Sequence, residues 1–350
     1  MVHPRSIFRA VVLTDGAVLA VGDDDCGAFG AVAGSERAEI YDPSADRWVE
    51  VGSLNKPRDR LMLVALPDGA AMVLGGSNQD EESFSSTKIY SPIDRTWSPG
   101  PQMLDIPVQG AAALRDGTVI AVAGAATEIL DVGATAWRRS NPPTELSIDR
   151  LVSLADGRVL ASGAYPDFRA DDLVIFDPKR ETWAQFATPS SVPPWSDLIP
   201  LTDGSIFHIG SDEGGSRVER YDPAVKRWND VAPLREGRVR PQMTQLADGR
   251  VLVAGGMSIK AEAVEGGTGV FEVGGLDTTE IYDPASDSWT SGPRLNASRQ
   301  AGFAATLSDG SVLVYGGMVP TPMSDGEFDT GQAGECPAPV IGTERLYVVP

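Results

Sequence analysis

The chain has 350 residues, 29 Lys and Arg against 49 Asp and Glu, and a net charge of −20 at neutral pH. That charge would be repelled by a phosphate backbone or an anionic lipid surface, so no nucleic acid and no membrane is expected among its partners. No run approaches the length of a membrane helix, no leader with a small-residue cleavage site is visible, and two cysteines make no disulfide framework, so a cytoplasmic location is the expectation.

An Asp-Gly pair two residues behind a Leu recurs seven times, at Asp15, Asp68, Asp116, Asp156, Asp203, Asp248 and Asp309. Between these pairs a second phrase recurs, an aromatic or aliphatic residue seven positions before a Trp. Its pairs are Tyr41/Trp48, Tyr90/Trp97, Leu130/Trp137, Phe176/Trp183, Tyr221/Trp228 and Tyr282/Trp289. Each repeat reads as four short antiparallel strands, A to D. Strand A ends at Asp-Gly, as in Ile7–Leu13; B follows, as in Val251–Ala254; C carries the Tyr; D carries the Trp. Asp-Gly between apolar runs signals a two-residue hairpin, and Asp-Pro after the Tyr signals a second turn. Periods of this length with four strand-like runs predict an all-β, seven-bladed propeller in a single domain spanning 1–350.

The distance from each Trp to the next Asp-Gly is nearly constant, and so is that from Tyr to Trp. The length variation falls in the B–C connection. That connection is short in repeat 3 (Ala125–Thr127) and long in repeats 6 (257–276) and 7 (318–341). Antiparallel connectivity puts A–B and C–D turns at one end of each blade and D–A and B–C loops at the other, so one face is uniform and the other diversified. Variable loops on a rigid scaffold are where binding chemistry usually sits. Strand A of repeat 1 begins near Arg5, and no Trp strand follows Tyr347. Blade 7 is therefore expected to hold three full strands, with at most a stub from Met1–Pro4.

The Gly-Gly doublets closing strand B (Gly75-Gly76, Gly255-Gly256, Gly316-Gly317), the Glu-x-Tyr-Asp-Pro strings at Glu39–Pro43 and Glu280–Pro284, and the Trp that follows resemble the kelch-repeat β-propellers. The resemblance implies the galactose-oxidase-like propeller fold but does not select an activity, because such propellers include docking domains, mutarotases and a copper oxidase domain. The copper ligands of that oxidase have no counterpart here: only His3 and His208 exist, and neither forms the required Tyr-His set.

Charge at the start of strand A is the strongest candidate chemistry. Arg5, Arg58, Arg238 and Arg299 each lie ten residues before an Asp-Gly. They are either structural, holding a loop or a Glu, or part of a cluster at the channel mouth. Arg60 and Arg240 lie two residues further on, Arg9 and Arg150 four, with Asp149 and Asp197 at the same depth. A guanidinium cluster fits a carboxylate or phosphate, while an Arg–Asp network would neutralise itself. Trp195 and Tyr165 are expected to edge the same face, either stacking on a ring or packing at the rim. Cys26 and Cys336 lie in the B–C loops of repeats 1 and 7, as a pair or as two free thiols. Asp23-Asp24-Asp25 with Asp325, Glu327 and Asp329 are solvated loops or a partial oxygen set for Ca²⁺. No other metal and no cofactor is expected.

Two function readings follow. One is a binding propeller that engages a small anionic ligand or a protein partner on the D–A/B–C face through the Arg cluster. The other is a cofactor-free enzyme on that face, such as a sugar mutarotase or isomerase or a tailoring enzyme of a small metabolite. There, Arg9, Arg150 or Arg240 would bind an anion or polarise a leaving group, and Asp149 or Asp197 would act as general base.

Overall fold

The computed structural model describes residues 8–22, 35–78, 82–142, 148–163, 173–190, 197–212, 215–264, 267–319 and 342–348. Among them the regular elements are all strands. Repeat 1 forms a four-stranded antiparallel sheet in the order Arg9–Val12, Val18–Val21, Ala38–Asp42, Arg47–Val51. Repeats 2 to 6 each form a sheet of the same order, repeat 6 from Gln242–Gln245, Val251–Ala254, Thr279–Asp283 and Ser288–Ser291. Repeat 7 contributes Phe303–Thr306, Val312–Tyr315 and Thr343–Leu346. The expected start of strand A near Arg5, and the Met1–Pro4 stub, lie outside the described residues. The chain divides into two compact units, one carrying repeats 1 to 4 and the other repeats 5 to 7.

Strand B is buried from end to end in every repeat where its side chains are described, as in Val18–Val21 and Val251–Ala254. It lies between A and C, and within each unit neighbouring sheets pack on its faces, which is why its sequence is an apolar run and not an alternation. Within each unit the cores accordingly lie between consecutive sheets. Leu19 and Val21 of repeat 1 cluster with Leu63, Val73 and Tyr90 of repeat 2, and Val251 and Val253 of repeat 6 cluster with Phe207 and Ile209 of repeat 5. The Trp of strand D packs on its Tyr or Phe, with ring centroids 5.5 Å apart for Tyr41/Trp48 and 5.1 Å for Tyr282/Trp289.

The Asp-Gly turns differ from the expected two-residue hairpin. Leu13 N donates to Ala17 O and Gly16 N to Leu13 O, and only the Gly has positive φ, at 85°. This is a three-residue loop, a type I turn closed by a left-handed Gly. The Asp accepts from the amide two residues on, at 2.9 Å in Ala17 N to Asp15 and 3.1 Å in Ser311 N to Asp309. Selection for that side-chain acceptor explains why Asp precedes Gly in all seven repeats.

Two further differences concern repeats 6 and 7. The expected long loop at 257–276 is a β-hairpin, Met257–Val264 paired with Gly267–Gly275, with Arg238–Val239 as a third strand. Its glycines suggested a loop, but alternation of apolar and polar residues through Ile259–Val264 sustains a ladder. In repeat 7, Val312 pairs with Leu346, as Val251 pairs with Tyr282. Leu346, not Tyr347, therefore occupies the Tyr position; Leu346 is buried and Tyr347 is 67% exposed.

Candidate functional site

The arginines at the start of strand A are built into their sheets. Arg238 is 0% exposed. Its Nη1 donates to Gly255 O and Thr278 O, both at 3.0 Å, and its Nη2 to Thr278 Oγ1 at 3.1 Å and Glu280 at 2.8 Å. Burial lowers its pKa, and the carboxylates of Glu280 and Glu236 oppose that shift. Arg299 repeats the pattern, donating to Gly316 O at 3.3 Å and to the Glu344 carboxylate. Arg58 donates to Gly75 O at 2.7 Å, Ser86 O at 2.9 Å and Ser86 Oγ at 2.6 Å. Arg58, Arg238 and Arg299 are thus each anchored to the carbonyl that closes strand B of their own repeat, the structural one of the two expected roles. A buried guanidinium needs acceptors for its donors, and the carbonyls closing strand B supply them.

The other expected residues are placed differently. Arg60 and Arg240 both have φ of 51°, a left-handed conformation that non-glycine residues hold only where neighbours enforce it. In repeat 6 this kink is where strand A leaves its pairing with Met257 and takes up that with Ala254. The Arg60 side chain is 82% exposed, and it approaches Asp59 at 3.5 Å. Arg9 and Arg150 are exposed on strand A of repeats 1 and 4, and Asp197 is half-buried at the start of strand A of repeat 5. Asp149 lies on the strand Ile148–Ser153, and its side chain is outside the described residues, as are Arg5, Trp195, Tyr165, Cys26, Cys336 and the acidic loops at 23–25 and 325–329. His208 is buried 3.7 Å from Glu219. Among the described residues no group of three His, Cys, Asp or Glu could hold a metal ion.

A set of strand C carboxylates was not singled out from the sequence. Glu39, Glu128, Glu219, Glu280 and Glu344 are all buried, two residues before the Tyr position of their repeats. Four of them accept backbone amides from the D–A crossover of their own repeat: Leu104 N at 3.0 Å and Asp105 N at 2.6 Å for Glu128, Ser190 N at 2.8 Å for Glu219, Arg235 N at 2.9 Å for Glu280, and Asn296 N at 2.6 Å for Glu344. Burial raises the Glu128 pKa while these amides lower it. The Glu-x-Tyr spacing would have found Glu39, Glu219 and Glu280. At the mouth of one such site a cleft of about 240 Å³ opens, lined by Arg235, Glu236, Arg238, Thr278, Glu280 and Arg294.

The two ends of each sheet differ in kind. The A–B ends repeat one hydrogen-bonded turn. The B–C ends range from Gly124-Ala125 in repeat 3 to the nineteen-residue hairpin segment Met257–Gly275 in repeat 6.

Comparison with solved structures finds a fungal alcohol oxidase of the AA5 family in complex with copper, with a TM-score of 0.65 and 17% identity, over 91% of this chain and 71% of that one. The chain has the β-propeller fold. Among curated proteins, Kelch-like protein 36 of Bos taurus is 23% identical over 300 residues, 83% of this propeller and 40% of that protein. Kelch repeat and BTB domain-containing protein 12 of Danio rerio is 31% identical over 109 residues, and Kelch-like protein terF of Aspergillus terreus 28% over 105. The propeller thus spans about 40% of the length of the curated relative that it matches over most of its own. No family model matches.

Proposed function

We propose that this propeller is a protein-binding module that engages its partner through the D–A and B–C ends of its sheets. The observation that carries this is the contrast between the ends. Seven near-identical turns at one end are a folding device, whereas the other end carries the hairpin Met257–Gly275, the left-handed Arg60 and the exposed Arg9 and Arg150. Likeness to Kelch-like proteins supports a binding role. The enzyme reading has less support, since the curated proteins that the chain resembles are Kelch-like proteins.

The test is partner capture from an extract of the source organism by the wild-type chain and by a variant with Ile259–Val273 replaced by a short turn. Loss of the captured protein from the variant, with an unchanged melting temperature, is the expected result. Equal capture by both, or turnover of a small metabolite by the purified chain, would overturn the reading.

A further inference from the structure

Repeats 2 and 6 build the same socket with different charges: Glu236 and Glu280 face Arg238, and Lys56 and Lys88 hold the equivalent positions beside Arg58. Arg58 Nη1 bonds Gly75 O as Arg238 Nη1 bonds Gly255 O. Arg58 Nη2 bonds Ser86 Oγ as Arg238 Nη2 bonds Thr278 Oγ1. Thr87 Oγ1 donates to Pro101 O at 2.8 Å as Thr279 Oγ1 donates to Pro293 O at 2.6 Å. Gly100 N donates to Thr87 O as Gly292 N donates to Thr279 O. Lys88 pairs Val73 and Pro99 in the register in which Glu280 pairs Val253 and Ser291. The position that holds the carboxylate in repeat 6 therefore holds a second cation in repeat 2.

The consequence is a concentration of uncompensated positive charge. Arg58 is 1% exposed; among the described residues its Nε has no hydrogen-bond partner and no carboxylate lies within ion-pair distance of its guanidinium. The ring of Phe84 lies 4.9 Å from the Arg58 guanidinium carbon and 5.6 Å from Lys56 Nζ. Among the described residues, Lys56 and Lys88 make no ion pair. The aromatic face attracts these cations but carries no formal counter-charge. Asn55 has φ of 68°, a conformation that its counterparts Arg235 and Asn296, whose amides bond Glu280 and Glu344, do not share.

We infer that the end of repeat 2 around Arg58, Lys56, Lys88 and Phe84 is a carboxylate-recognition site, which an acidic side chain of a partner protein completes in trans. It rests on the docking reading for the source of the carboxylate, while the site itself stands on the socket comparison. The partner group would pair with Lys88 and Lys56 at the mouth and reach Arg58 Nη2, as Glu280 reaches Arg238. A net charge of −20 makes such a basic point a selective one, since acidic partners are repelled elsewhere.

The test is calorimetric titration of the purified chain with a blocked Glu-rich peptide, its Gln counterpart and sodium acetate, repeated on Lys88→Glu and Lys88→Met. Lys88→Glu installs the residue that repeats 1, 3, 5, 6 and 7 carry at this position, so it should fold and melt higher than wild type. Binding of the Glu peptide but not the Gln peptide, weakened at least about tenfold by Lys88→Glu and less by Lys88→Met, is the expected result. Acetate bound as tightly as the peptide would assign the site to a free small acid and overturn the partner source. Glu-peptide binding unchanged in Lys88→Glu, or no binding of peptide or acetate, would overturn the site. Because the probe is titrated directly, this outcome is independent of whether partner capture through the hairpin succeeds.

Discussion

Arg238 and Glu280 meet at 2.8 Å inside the sheet of repeat 6, their side chains 0% and 5% exposed. The pair ties the start of strand A to strand C, and Glu280 also holds the crossover amide of Arg235. Removing one partner leaves the other charge buried and unpaired, which costs about 3–5 kcal/mol. Glu280→Gln is therefore expected to lose roughly 3 kcal/mol in urea unfolding. Arg238→Met/Glu280→Met should lose less than the two single variants together. Additive losses would show that the pair is not coupled.

Trp289 and Trp97 occupy the same strand D position but differ at the indole nitrogen. Trp289 Nε1 donates to Ala232 O at 2.7 Å, fastening strand D to its crossover, whereas Trp97 Nε1 is buried without an acceptor. A net hydrogen bond contributes about 1 kcal/mol, and an unmade one costs a similar amount. Trp289→Phe is expected to lower stability by about 1–2 kcal/mol more than Trp97→Phe. Equal losses would mean that the indole bond contributes nothing.

The propeller fold was legible because its turns and its Tyr/Trp pairs are local signals repeated along the chain. Asp15-Gly16 and Tyr41/Trp48 each report on one turn or one packing contact, and repetition removes the ambiguity of any single copy. The site was less legible. Arg58 and Arg238 look alike in sequence, but their roles diverge because one socket contains Glu280 and the other Lys88, thirty or more residues downstream. That coupling is visible only once strands A and C are laid in register. The hairpin Met257–Gly275 was hidden by glycines that strands usually avoid. Tyr347 misled because an aromatic residue stood one position past the register that Leu346 fills.

His208 gives the fold a pH dependence with a definite sign. Burial pushes its pKa from 6.5 down to about 4, opposed by the nearby Glu219. The folded protein keeps the imidazole neutral while the unfolded chain takes up a proton. This contribution is complete above pH 6.5, falls as the pH drops toward 4, and changes no further below that. A shift of this size corresponds to at most about 3 kcal/mol. In urea unfolding at pH 7.5 and 4.5, wild type is expected to lose more stability than His208→Gln across this window. Parallel losses would exclude His208 as the titrating group.

Gly256 and Gly249 share a left-handed backbone at φ of 93° and 92°, but their surroundings differ. A Cβ on Gly256 would lie 2.7 Å from Val239 O, whereas one on Gly249 would meet nothing within 4 Å. Gly249→Ala is expected to cost about 1–2 kcal/mol from the backbone alone. Gly256→Ala should cost clearly more and disturb the kink at Arg240. Equal melting temperatures would contradict the close approach.

The docking account is tested most directly by photo-crosslinking with a benzophenone amino acid placed at position 60 or at position 225. Arg60 lies at the D–A/B–C end of repeat 2, and Val225, 50% exposed, lies in the C–D turn of repeat 5. In an extract of the source organism, the account predicts a discrete protein adduct from position 60 and none from position 225. Adducts of equal yield from both positions, or from position 225 alone, would contradict it.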